Sequence, residues 1–118
     1  MIYLAIFAGG AAGSLLRVIL FAMVPLPGLV TASFAVNILA CFLLGLVFAR
    51  RETLTSPLFL MAAIGFCGGL STFSTFAAEI AHLISEGALV SAVAAPFVEI
   101  ALGLGAVALG ERAGRRNE

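Results

Sequence analysis

Four long apolar stretches separated by short polar breaks decide what this chain can fold into. No charged side chain occurs within residues 1–16, 18–49, 53–78 or 87–98. A helix needs about 20 mostly apolar residues to cross a hydrocarbon core of about 30 Å. Punctuation divides the stretches into helices expected over about 2–24, 29–49, 57–84 and 88–110. The breaks are Pro25-Leu26-Pro27-Gly28, Arg50-Arg51-Glu52 up to Pro57, and Ser85-Glu86-Gly87.

Charge supports the same reading. Of 118 residues, six are Arg and six are Glu, and 63% are apolar. A soluble domain of this size is about one quarter charged. This chain has too little polar surface to face water, which excludes soluble, disordered and nucleic-acid-binding classes. An all-α integral membrane protein is expected, one four-helix unit over 1–118 with its function inside the bilayer. The first stretch does not read as a cleaved signal peptide: it lacks a positive leading region, is interrupted by Arg17 and runs straight into another span. A membrane β-barrel would alternate apolar and polar residues, and these segments do not.

An even number of spans places both termini and the 50–56 loop on one side, with Arg50, Arg51, Arg112, Arg115 and Arg116. The loops on the other side, 25–28 and 85–87, carry no basic residue. The positive-inside rule then puts both termini in the cytoplasm.

Small residues suggest close helix contacts: Gly9 and Gly13 form a GxxxG pair, and Gly103, Gly105 and Ala106 extend the idea in the fourth span. Such faces join helices within or between subunits, and an oligomer with function at its interface is expected. Cys41 and Cys67 read as small buried thiols, and His82 has no ligand-spaced acid or Cys neighbour for a metal.

Polar groups at membrane depth are costly unless paired or functional. Ser33 and Asn37 share one face of the second span; the Asn amide there is either a packing hydrogen bond or a donor lining an anion path. The densest cluster is Gly65-Phe66-Cys67-Gly68-Gly69-Leu70-Ser71-Thr72-Phe73-Ser74-Thr75-Phe76. Its three glycines are expected to break the third helix mid-span, which frees backbone groups for protein, water or an ion. Hydroxyls follow at Ser71, Thr72, Ser74 and Thr75. Phe73 and Phe76 are spaced to point the same way, as a packing pair or as ring edges that can meet an anion.

This pattern resembles the small bacterial fluoride channels of the Fluc or CrcB family over nearly the whole chain. It includes Gly9-Gly10-Ala11-Ala12-Gly13 leading to Arg17, then Val36-Asn37 with Phe42 and Gly45, and above all the 65–76 segment, with Ser71 where Thr is usual. The resemblance implies a passive fluoride channel in the inner membrane, an antiparallel dimer with two narrow pathways at its interface. Asn37 matches a pore-lining Asn, Phe73 and Phe76 the fluoride-contacting phenylalanines, and Ser71, Thr72, Ser74 and Thr75 the hydroxyl-rich stretch. Gly68 and Ser71 match positions whose backbone carbonyls hold a central structural Na⁺ between subunits. Arg17 matches a first-helix Arg, for anchoring or for attraction at the pore entrance.

The chain also departs from the family pattern. Ala32 and Ala40 stand where Gly is common. In the fourth span Glu99 falls near an expected polar-track Ser, and Ala95 near an expected Tyr. An ionised Glu99 in an anion pathway would repel fluoride; either it is neutral and donates a hydrogen bond, or it serves packing. Glu79, near the end of the third span, is expected to meet an Arg or solvent and is given no role in permeation. Five arginines against none also disfavour insertion in both orientations, so a heterodimer with an oppositely biased relative is an alternative to a homodimer. Two other functions compete. A small proton-coupled multidrug transporter would want an acid in the first span and Trp or Tyr around its cargo, and here only Tyr3 is present. A non-transporting assembly subunit would not need the polar cluster. No nucleophile–base pair suggests an enzyme.

Overall fold

The computed structural model describes residues 1–23 and 32–116, and among them it contains helices and turns but no strand. Helix α1 spans Ile2–Met23 and α2 spans Ala32–Ala49. The third crossing is composite: α3 (Ser56–Leu60), a π-helical segment (Met61–Phe66), α4 (Cys67–Leu70), a non-helical step at 71–73, and α5 (Ser74–Ser85). Helix α6 spans Leu89–Arg116. All four crossings are long and apolar enough to traverse a bilayer, and the chain is a multi-pass membrane protein. The Pro25–Gly28 break and the expected start of the second span lie outside the described residues.

Two boundaries show which local rules operate. Between α5 and α6 the chain turns through Gly87, at φ 79, a left-handed conformation that glycine adopts without a side-chain clash. The amides of Glu86, Gly87 and Ala88 bond back to His82, Ile84 and Leu83, closing the end of α5. Helix α6, expected to stop near 110, instead continues to Arg116. Gly110 is a packing residue rather than a stop, because a Cβ there would overlap the Phe42 carbonyl. Beyond it, Glu111 and Arg115 pair across one turn at 2.5 Å and favour further helix.

Crossings that alternate in sequence lie side by side in space. Gly9 of α1 meets the Met61 carbonyl, and Gly13 meets Phe66 and Leu70; Gly65 and Gly69 answer against Ile6 and Gly10. In the other pair, Gly45 of α2 meets Val107, Gly110 meets Phe42, and Gly114 meets Leu46 and Ala49. Each pair therefore runs parallel, backbone against backbone. Where lipid is as apolar as the side chains, such close approach lets packing hold helices together. The Gly9–Gly13 pair thus joins helices within the chain. A Cβ added at Gly103 would come within 3.3 Å of the Cys41 sulfur, whereas one at Gly105 would meet nothing among the described residues. Val36, Ala40 and Leu70 join the two pairs, flanked by Leu16, Leu20, Phe21, Leu43 and Phe66. Because the ends of α2 and α6 lie together, Arg50 and Arg51 share one end of the bundle with Arg112, Arg115 and Arg116.

The helix break itself needs a correction. Gly65 sits in the π segment, and Gly68 and Gly69 are in α4, still helical. The chain leaves the helix only at Ser71, where ψ swings to 158. Gly65 and Gly69 serve the approach to α1, and the departure comes where side chains from α1 and α2 take over the backbone.

Candidate functional site

A backbone that leaves its helix at membrane depth must find new hydrogen-bond partners, since no water is available in hydrocarbon. Here α1 and α2 supply them. The Arg17 guanidinium donates through Nη1 to the Ser71 carbonyl at 2.9 Å. The Asn37 amide brackets the next residue: Nδ2 donates to the Thr72 carbonyl at 3.0 Å, and Oδ1 accepts the Thr72 N–H at 2.7 Å. Ser14 donates its hydroxyl to the Gly69 carbonyl at 3.4 Å, and Ser71 donates to that of Gly68 at 3.3 Å. Arg17 therefore anchors the break, and Asn37 fixes its conformation.

The hydroxyl run divides into different tasks. Thr72 is buried, and its Oγ1 accepts the Thr75 N–H at 3.3 Å, capping the start of α5. The same hydroxyl donates to Thr75 Oγ1 at 3.2 Å and lies 3.4 Å from that of Ser74. Ser74 is exposed, and Thr75 is half-buried.

Three further side chains complete the cluster. Glu99 of α6 lies against Asn37, whose Nδ2 donates to Glu99 Oε1 at 2.6 Å. The other carboxyl oxygen, Oε2, is inaccessible to solvent and has no hydrogen-bond partner among the described residues. One turn before Asn37 on α2, the buried Ser33 donates to Glu79 Oε2 at 2.5 Å. Glu79, expected to meet an Arg or solvent, accepts this hydroxyl from the bundle and also lines the cavity described below. Neither partnership had a local signal, because the members lie far apart in sequence.

Beside this cluster, α5 stands off from α2 and α6 and leaves a cavity of about 650 Å³. Its lining includes Phe34, Thr75, Phe76, Glu79, Leu83 and Ala95. Phe76 thus forms part of the wall, while Phe73 is 81% exposed and is not among the lining residues. At the rim His82 and Glu86 lie 3.2 Å apart in an exposed pair. Cys41 and Cys67 are free thiols.

The sequence that builds this arrangement matches a known family. The family model described as CrcB-like protein, Camphor Resistance (CrcB), covers residues 4–111. The chain belongs to the CrcB family. Similar curated proteins are named fluoride-specific ion channel FluC. One from Ruegeria pomeroyi is 48% identical over 98% of this chain and 92% of its own length. Another from Ignicoccus hospitalis is 40% identical over 92% and 90%, and one from Phocaeicola vulgatus 38% over 91% and 93%. In each case the similarity extends over nearly the whole of both chains.

Proposed function

We propose that this CrcB chain is a fluoride-selective passive channel that lets the anion leave the cell down its electrochemical gradient and so relieves fluoride toxicity. The observation that carries this reading is the non-helical step at 71–73 inside an apolar crossing, with hydroxyls at Ser71, Thr72, Ser74 and Thr75 and phenyl rings at Phe73 and Phe76 on and just after it. Fluoride is small and strongly hydrated, so a pathway must offer hydrogen-bond donors in place of water. Hydroxyls and aromatic ring edges do this without a fixed positive charge that would trap the ion, and conduction requires binding that is strong enough to enter and weak enough to leave. The homologues named as fluoride channels support the same reading.

The working unit is an antiparallel dimer, either of this chain or with an oppositely oriented relative. Exposed Phe73 and the open face at Gly68, where an added Cβ meets nothing, are consistent with a second subunit closing the site. A structural Na⁺ between the subunits would be held by the carbonyls of Gly68 and Ser71. Each of those oxygens accepts one hydrogen bond within the chain, from Ser71 and Arg17 respectively, and a carbonyl has a second lone pair to offer. Oxygen donors of this kind suit a hard cation. The arginine-rich end of the bundle favours cytoplasmic termini where the chain inserts in one orientation.

The test is fluoride release from liposomes containing only this purified protein, followed with a fluoride electrode after valinomycin provides a K⁺ counter-path. Rapid fluoride release with chloride retained is the expected result. Absence of release both alone and together with an oppositely biased relative would overturn the proposal.

A further inference from the structure

The Asn37 amide has only two N–H donors, and the structure accounts for both. One goes to the Thr72 carbonyl and the other to Glu99 Oε1. The orientation of the amide is not free to change, because the Thr72 N–H is donated to Oδ1 at 2.7 Å. Asn37 therefore has no hydrogen left to offer an anion. The polar atom at this level that lacks a partner among the described residues is Glu99 Oε2, and it is shielded from solvent.

An ionised carboxylate oxygen without a donor, inside a membrane span, carries a large desolvation cost. A proton on Oε2 removes that charge and converts the orphan acceptor into a donor, while Oε1 goes on accepting from Asn37. Ala95, one turn earlier on the same face of α6, lines the 650 Å³ cavity. The acid thus sits one turn beyond the cavity wall, on the face that borders it.

We infer that Glu99, kept a neutral carboxylic acid by its burial away from water and oriented by the bond from Asn37, is the hydrogen-bond donor to the permeating anion at this level, the task that the Asn37 amide cannot perform here. This rests on the fluoride-channel reading and adds a proton-dependent step to it. With the proton in place the site donates; when the proton is lost, the carboxylate repels the anion. Flux carried by this chain therefore falls as pH rises. Other titratable groups on the surrounding elements are Arg17 on α1, Cys41 on α2, Cys67 on α4 and Glu79 on α5. Glu79 and Cys41 are near enough to interact electrostatically with Glu99, so the test must isolate Glu99 itself.

Glu99→Gln does so. Gln keeps a carbonyl to accept from Asn37 and carries a permanent donor in place of the titrating one. Fluoride release is measured from proteoliposomes across a series of neutral to alkaline pH values, with leak through protein-free liposomes subtracted. The wild-type rate is expected to fall by up to about tenfold per pH unit once the acid ionises, while the Glu99→Gln rate stays flat. Equal pH profiles for the two proteins would overturn the inference. A second readout does not depend on flux: in the infrared difference spectrum of wild type against Glu99→Gln at neutral pH, the C=O stretch of a protonated carboxylic acid is expected, and added fluoride is expected to shift it. A missing or unshifted band would overturn the donor assignment. A band that shifts with fluoride in a protein that releases none would instead retain the donor and sink the channel reading.

Discussion

The two halves of the third crossing are built on opposite plans. From Ser56 to Leu70 the chain lies against α1 with almost no side chain between the backbones, at Gly9, Gly13, Gly65 and Gly69. From Ser74 to Ser85 it stands away from its neighbours and borders a cavity of about 650 Å³. None of the residues of α5 is fully buried, whereas α4 buries Cys67 and Leu70. The first half is a rigid mount that fixes the position of the step at 71–73. The second half carries hydroxyls and a phenyl ring on a helix with room beside it. Packing precision and a pathway make conflicting demands, and the break lets one crossing meet both.

Substitutions that attack the mount should have the largest effects. Gly13→Leu drives a side chain into the backbone at Phe66 and Leu70, where nothing flexible can yield, and we expect no monodisperse protein from membrane extracts. The milder Gly13→Ala is expected to lose about 1–3 kcal/mol through overpacking, read as an earlier thermal unfolding in detergent. Gly68→Ala sharpens the contrast, since its Cβ meets nothing within this chain. Unchanged stability of the monomeric form with a weakened dimer would place a second subunit there. If Gly13→Ala and Gly68→Ala behaved alike, the division into mount and pathway would fail.

The side chains that hold the step come next. Asn37→Ala leaves both backbone groups of buried Thr72 without this partner. The expected loss is about 1–3 kcal/mol for each orphaned group, together with most fluoride flux in proteoliposomes. Arg17→Gln removes the charged donor on the Ser71 carbonyl, a loss of roughly 1.5–3 kcal/mol. If Arg17 served only to attract anions, its replacement would reduce flux and leave the unfolding temperature unchanged; the anchoring role requires both to fall.

Much of this architecture was legible in the residue pattern because lipid imposes a simple code. Spans follow from uninterrupted apolar length, and a break in the third crossing follows from an unusual density of Gly and hydroxyls. The position of the break was harder to read, since Gly65 and Gly69 look like helix breakers and act as helix packers. Intrinsic propensity favours unwinding there, but contact with Gly10 of α1 overrides it. Gly110 misleads in the same way as an apparent end of α6. The partners of Asn37 were invisible for a different reason. Thr72 and Glu99 are distant in sequence, and periodicity along one helix carries no information about which residue of another helix it will meet.

The smallest effect belongs to the start of the looser half. Thr72 Oγ1 accepts the Thr75 N–H, satisfying one of the free amides at the head of α5. Thr72→Val keeps the shape and removes the cap, so about 1 kcal/mol of stability should be lost. Thr72→Ser retains the hydroxyl and should recover most of it. Because Arg17 and Asn37 hold the step from outside, neither variant should move the residues before 71. Hydrogen exchange is the decisive measurement: faster exchange in Thr72→Val is expected within the first turn of α5, with 56–70 unchanged. Faster exchange spreading through 56–70 would mean that the two halves fold as one unit, and that the break is a hinge in a continuous helix instead of the joint between a mount and a pathway.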